Sequence, residues 1–325
     1  GVGWAGTHGI LVELDGSTLS SWRGYTAMAV VDPANLRAQW VFTPLPLNND
    51  REFPAIDLIA IAPNGDLLFR VVYPRQETSV LTLAPCLATT ERRPRVLLRD
   101  SGHDDKTPFD PKRITEGAFR PDGSQIALVL TLADGQNILT EWALTDKDVS
   151  LTKAGPPLSA VRYAPDGNLI AFVEGAGRPS AALRTVRSGD ATGTVKTLAE
   201  GSLVLASQPF SPDSRFIAYC QADGSAWAVP VDGSAPPIAL GPGLAAAWHP
   251  SGKYLVVAAP DTNGAVQLWA VDAAAQHQRK QLTTTPAGTT EQVFISPDGL
   301  WATSRTPGIA KPWVVFANLK TVTFP

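Results

Sequence analysis

One short phrase recurs along the chain and limits what it can fold into. A proline is followed by a small polar residue and then by glycine or serine, between two apolar runs. The copies are Ala62-Pro63-Asn64-Gly65, Arg120-Pro121-Asp122-Gly123, Ala164-Pro165-Asp166-Gly167, Ser211-Pro212-Asp213-Ser214, His249-Pro250-Ser251-Gly252 and Ser296-Pro297-Asp298-Gly299. The proline-to-proline steps are 58, 44, 47, 38 and 47 residues. Self-similarity at such a period means one supersecondary unit copied along the chain. One period upstream stands Leu14-Asp15-Gly16-Ser17, counted here as a degenerate seventh copy.

The chemistry of a tight turn accounts for each position. Proline presets φ at the first turn residue, and Asp or Asn accepts a hydrogen bond from a backbone N–H just ahead. Glycine takes the left-handed conformation that a Cβ resists. Two residues before each proline stands an apolar side chain: Ile61, Phe119, Tyr163, Phe210, Trp248 or Ile295. Four before stands another apolar or small residue, with Gln208 as the exception. Positions i and i+2 share a strand face. After each turn comes a continuous apolar run, such as Leu67-Leu68-Phe69 or Ile170-Ala171-Phe172. Such runs suit strands buried on both faces.

A period near 47 is that of four-stranded propeller blades. The x-Pro-Asp-Gly turn between two apolar strands resembles the WD-like repeat of TolB-type bacterial β-propellers. The stretch Val266 to Asp272 resembles the third strand of a WD repeat, and Ala226 to Asp232 is a second such strand. The resemblance implies an all-β chain, a single β-propeller of seven four-stranded blades. Their approximate bounds are 1–50, 51–111, 112–155, 156–202, 203–242, 243–287 and 288–325. If the first 47 residues do not complete a blade, the count is six. In this scheme Ile10 to Leu14 forms an inner strand, and Gly1 to His8 pairs with the last blade. Thr321 to Phe324 forms its fourth strand. Arg178 to Gly193 is an extended polar hairpin, and Gln276 to Lys280 a solvated turn.

With 27 basic and 30 acidic residues the formal net charge is −3. This argues against a duplex-binding surface, which needs clustered positive charge. No apolar run approaches the ~20 residues of a membrane-spanning helix. Gly1-Val2-Gly3-Trp4 has neither the basic start nor the apolar core of a signal peptide. The first residue is not Met, so a removed leader or anchor stays open. A composition poor in Lys and Met and rich in Thr, Pro and Ala favours an extracytoplasmic setting, periplasmic or cell-surface, over a cytoplasmic one. Cys86 and Cys220 fall in distant blades and are expected to be unlinked, buried thiols.

Departures from the repeat are where ligand contacts are sought. The 58-residue step carries an insertion, Asp100 to Pro111, in a link from an outer strand to the next inner strand. Long loops on rigid scaffolds concentrate binding residues. Within it His103, Asp104, Asp105 and Asp110 form the one local group of His and carboxylates. They supply too few donors for calcium or zinc, so no metal and no cofactor is expected. Charges at the starts of inner strands, among them Arg113, Glu116, Arg162 and Glu291, would converge on a propeller channel. A water-filled channel explains them equally well. Gly-x-Ser-x-Gly, His-Glu-x-x-His and phosphate-loop motifs are absent, and no catalytic residue is assigned. The reading is a non-catalytic propeller that binds a protein partner or serves as an assembly scaffold. The alternative is a channel-mouth binder of a small ligand, or a hydrolase or lyase acting on saccharide or peptide.

Overall fold

The computed structural model describes residues 2–4, 10–15, 26–32, 37–42, 55–73, 78–84, 95–99, 113–132, 134–144, 149–155, 158–190, 194–274, 278–284, 292–305 and 314–324. Among these, strands dominate and no helix is long and apolar enough to cross a membrane. Two compact units are distinguished, residues 1–154 and 155–325.

The first unit holds three four-stranded sheets. Their strands are β1 (Val2–Trp4), β2 (Ile10–Asp15), β3 (Thr26–Val31) and β4 (Ala38–Phe42); β5 (Ala55–Ile61), β6 (Leu67–Tyr73), β7 (Thr78–Ala84) and β8 (Arg95–Arg99); and β9 (Ile114–Phe119), β10 (Gln125–Thr131), β11 (Asn137–Ala143) and β12 (Val149–Gly155). Each is an antiparallel meander in chain order. The second and third pack through Ile59, Leu68 and Leu81 against Ile114, Leu128 and Trp142. Gly117 sits at this seam. A Cβ there would lie 3.0 Å from both Ile59 Cγ2 and Leu128 Cδ2, so the small residue lets the two strands approach.

The second unit opens with β13 (Leu158–Tyr163), β14 (Leu169–Glu174), β15 (Ala182–Arg187) and β16 (Lys196–Glu200). Next come β17 (Leu203–Phe210), β18 (Phe216–Gln221), β19 (Ser225–Pro230) and β20 (Ile238–Pro242), then β21 (Ala245–Trp248), β22 (Tyr254–Pro260), β23 (Val266–Asp272) and β24 (Arg279–Gln281). A single parallel bridge, Gln208 to Ala247, joins these two meanders. A three-stranded sheet follows, β25 (Gln292–Ile295), β26 (Trp301–Arg305) and β27 (Val314–Asn318). Each seam between successive meanders carries its own apolar core. Leu183 and Val173 meet Leu205 and Ile217, Ala218 and Leu240 meet Leu255 and Trp248, and Val256 and Leu268 meet Ile295 and Ala302. Burial of each large side chain contributes roughly 1.5–3 kcal/mol.

Several expected elements move. Ile10–Asp15 is the second strand of its sheet, paired with β1 on one side and β3 on the other. Leu14 and Asp15 therefore close a second strand, whereas every other copy of the phrase joins first to second; Gly16 and Ser17 lie outside the described residues. This copy lacks the proline that presets φ in the other turns. Val2–Trp4 pairs within its own sheet and not with the last one. Thr321 to Phe324 is not a strand. The chain turns at Leu319, and the tail lays Phe324 5.9 Å from the Tyr254 ring. Arg178 to Gly193 contains β15, whose Leu183, Thr185 and Val186 are buried. Arg279 and Lys280 lie on β24, with the Arg279 guanidinium stacked 5.6 Å over Trp269.

Candidate functional site

The repeated phrase builds the same turn each time. The backbone N–H of its fourth residue donates to the carbonyl of its first, at 2.8–2.9 Å in all six copies. The Asn or Asp carboxamide or carboxylate accepts from the N–H two residues on, in Asn64, Asp122, Asp166, Asp213 and Asp298. Hydrogen bonds from Ser124 and from Ser211 hold the Asp122 and Asp213 carboxyls below the usual range, ahead of the opposing effect of desolvation.

In the second unit these turns also fasten successive meanders to one another. Ser214 Oγ accepts the Asp166 N–H at 3.1 Å. Pro212 adjoins the next turn: a Cβ at Gly252 would lie 3.7 Å from Pro212 Cδ. His249 Nε2 lies 2.9 Å from Gly299 O, while Nδ1 takes the Ser251 N–H at 3.1 Å. A carbonyl only accepts and an amide only donates, so the neutral ring carries its hydrogen on Nε2. The same ring stacks on Tyr254 at a centroid distance of 4.2 Å. Ser214, with φ of 59°, holds a left-handed conformation that glycine takes in most copies. Its hydroxyl is the reason a side chain stands there.

A cavity of about 330 Å³ opens at this turn end, in the seam between β17–β20 and β21–β24. Its apolar walls include Pro212, Phe216, Leu240 and the partly exposed Ile238 of the edge strand β20. Asp213 stands on the lining. Trp248 comes from the adjoining strand; it is 7% exposed, and its indole Nε1–H has no hydrogen-bond partner. That nitrogen has no accessible surface of its own, so Trp248 lines the cavity with the rest of its ring.

The residues singled out from sequence fall elsewhere. His103, Asp104, Asp105, Asp110 and Glu291 lie outside the described residues, as does Cys86. Arg113 and Glu116 are half-buried at the start of β9, and both interact with neighbouring groups. Arg162 belongs to the second unit; its guanidinium donates to Val161 O at 2.6 Å and Ser207 O at 3.4 Å. Asp57 is held by Arg70, whose other nitrogen donates to Ile114 O of the next sheet. Gln208, the exception in the repeat, clamps the backbone of β25. Its amide donates to Ile295 O at 3.0 Å and accepts the Ile295 N–H at 2.8 Å. Arg70, Arg162 and Gln208 thus each bond to the backbone of another meander. Trp248 reads from sequence as packing, and it is packed; the unpaired N–H has no sequence signal. The Pro236-Pro237 pair ahead of Ile238 marked an edge strand, and that was the available clue to the cavity's outer wall.

No family model and no curated protein matches the sequence. Solved structures match in shape. TolB from Acinetobacter baumannii is 14% identical, with a TM-score of 0.50 over 90% of this chain and 57% of that one. The putative TolB from Agrobacterium tumefaciens is also 14% identical, with a TM-score of 0.54 over 93% of this chain and 99% of that one. A puromycin-hydrolyzing peptidase of Mycobacterium tuberculosis is 15% identical, with a TM-score of 0.65 over 98% of this chain and 50% of that one. The chain thus spans little more than half of the first and half of the last. At such identities the likeness is one of architecture, which hosts many activities. Repeated meanders, seam cores and these neighbours together make the chain a TolB-like β-propeller in fold.

Proposed function

We propose that the chain is a non-catalytic β-propeller that binds a protein partner, and that the seam beside Trp248 is a contact site. The cavity carries this reading: apolar walls, and one edge strand with a partly exposed isoleucine. Apolar clefts with few convergent polar groups are the usual form of a binding site. The edge strand adds unpaired backbone groups beside it. Seven blades are supported by seven successive meanders among the described residues, the last of them three-stranded. Composition alone supports an extracytoplasmic setting.

The test is capture of a partner from the native extract by wild-type protein and by two charge insertions. Ile238→Asp places a carboxylate in the cleft wall, whereas Val96→Asp changes an exposed residue of β8 in the other unit. A partner retained by Val96→Asp and lost by Ile238→Asp supports the proposal. Equal capture by both variants overturns the site, and failure of the wild type to hold any partner overturns the function.

A further inference from the structure

We propose that the outer edge of the last sheet pairs with the same edge of a second copy of this chain, β27 against β27, antiparallel about Phe316. This surface is separate from the Trp248 seam and does not rest on it.

The repeat shows what is missing. Six meanders place a fourth strand on their third, whereas β25–β26–β27 ends at the third among the described residues. The tail does not supply the fourth. The Val322 N–H donates to Leu319 O at 3.2 Å, Lys280 Nζ donates to Thr321 O at 3.3 Å, and Phe324 lies against Tyr254 of the preceding meander. One row of backbone groups on β27 is left over, and the ladder says which. The Leu319 N–H donates to Leu300 O at 2.9 Å, one step beyond the Trp301–Asn318 pair. In an antiparallel ladder alternate residues turn both backbone groups to the same neighbour. Val315 and Ala317 therefore serve β26, while Val314, Phe316 and Asn318 present N–H and C=O groups outward.

Open edges are normally blunted against a foreign strand, and the other outermost strands are. The pairings that carry β4, β8, β16 and β20 each show a register shift. β8 adds Arg95 and Arg99, β12 holds Lys153, β20 ends on Pro242, and β24 is three residues long with Arg279 and Lys280. β27 has none of these devices. It follows β26 in unbroken register, and Val-Val-Phe-Ala-Asn contains no charge and no proline. Its β-branched and aromatic residues favour a strand, so the edge is a template for another one.

Symmetry selects the second copy. The outward residues are evenly spaced about Phe316, so a two-fold axis there sets Phe316 against Phe316 and Val314 against Asn318 in both directions. Isologous contacts of this kind are the commonest in oligomers. They bring like residues together at the axis, which this uncharged edge permits. Each β27 takes the fourth-strand place of the other copy, and the pairing adds roughly six backbone hydrogen bonds.

The experiment is sedimentation velocity on the full chain between about 10 μM and about 1 mM. So short a ladder buries less than a standard interface, and a dissociation constant on the order of 100 μM is expected. At that value about four-fifths of the chains pair at the upper concentration and about one-seventh at the lower. Exchange of the Phe316 amide with D2O, followed by NMR, should then slow about fourfold over the same range. Phe316→Pro removes the outward N–H at the axis and none that β26 uses, a placement edge strands tolerate; it should weaken pairing about tenfold or more. A monomer throughout overturns self-pairing and leaves the edge to a strand of another protein. A dimer kept by the folded Phe316→Pro chain overturns it as well. So does a Phe316 exchange rate independent of concentration, and that readout decides the matter if the variant does not fold.

Discussion

Two glycines of the repeated turn should respond very differently to the same substitution. Gly252 and Gly299 both have φ of +70°, so alanine at either incurs the left-handed strain of an L-residue, about 1 kcal/mol. At Gly252 the new Cβ meets only Pro212, 3.7 Å away, an ordinary contact. At Gly299 it would lie 2.7 Å from His249 Nε2 and 2.9 Å from Cε1. The ring has little room to retreat, because Nδ1 is held by the Ser251 N–H and its face is stacked on Tyr254. Displacing it forfeits the bond to Gly299 O, about 0.5–1.5 kcal/mol, and adds an overpacking cost of order 1 kcal/mol. Gly252→Ala is therefore expected to cost about 1 kcal/mol and Gly299→Ala about 2–4 kcal/mol. In thermal unfolding this means a fall in Tm of roughly 2 °C against roughly 4–8 °C. His249→Ala in the Gly299→Ala background removes the obstruction, so the double variant should be less destabilised than the two single losses added. Equal costs for the two glycine variants, or strict additivity with His249→Ala, would refute the idea that His249 locks neighbouring turns.

Three further outcomes follow from the same geometry. Ser214→Ala should cost about 1 kcal/mol and raise hydrogen exchange at the Asp166 amide, whereas Ser214→Gly should be near neutral, since relief of the left-handed φ offsets the lost acceptor; identical unfolding free energies for the two would contradict this. Cys220 is 2% exposed, and burial pushes its thiol up to about 12, so at pH 8 about one thiol in ten thousand is thiolate. Iodoacetamide followed by peptide mapping should label Cys220 only after denaturation, and native labelling would contradict its burial. Because the Asp122 and Asp213 carboxyls are depressed, their stabilisation is present above the unfolded value near 4 and lost as pH falls through the folded values. The Asp122→Asn/Asp213→Asn variant should then show a shallower acid limb in urea unfolding below about pH 4; an unchanged limb would contradict it.

The architecture was legible because the turn chemistry is local. Proline, an Asx side chain and a left-handed fourth residue need only each other, and the six turns form as their residues dictate. Strands fail to announce themselves where that punctuation is weak. Ala182–Arg187 sits between Gly-rich neighbours and has an alternation broken by arginines, so only its partners β14 and β16 reveal it. At the other end, Val322 and Phe324 look like strand residues, yet they serve as apolar caps on a neighbouring meander. Both cases are decided by tertiary contacts that a window of sequence does not contain.

The departures from the repeat carry a different lesson from the repeat itself. Ser214 in place of glycine, His249 at the head of its turn and Gln208 among apolar neighbours each look like tolerated variation in one dimension. In three dimensions each reaches a backbone group in another meander: the Asp166 amide, the Gly299 carbonyl and the Ile295 peptide. A meander repeated without such residues would rely on interchangeable apolar seams, and polar clamps with fixed geometry favour one pairing of neighbours over another. The same logic sets Trp248 apart. Its ring fills a seam as the repeat requires, but its N–H has no backbone group to reach. It shares that state with Thr303 Oγ1 and Ser304 Oγ, so what distinguishes Trp248 is its place on the lining of the cavity between two meanders.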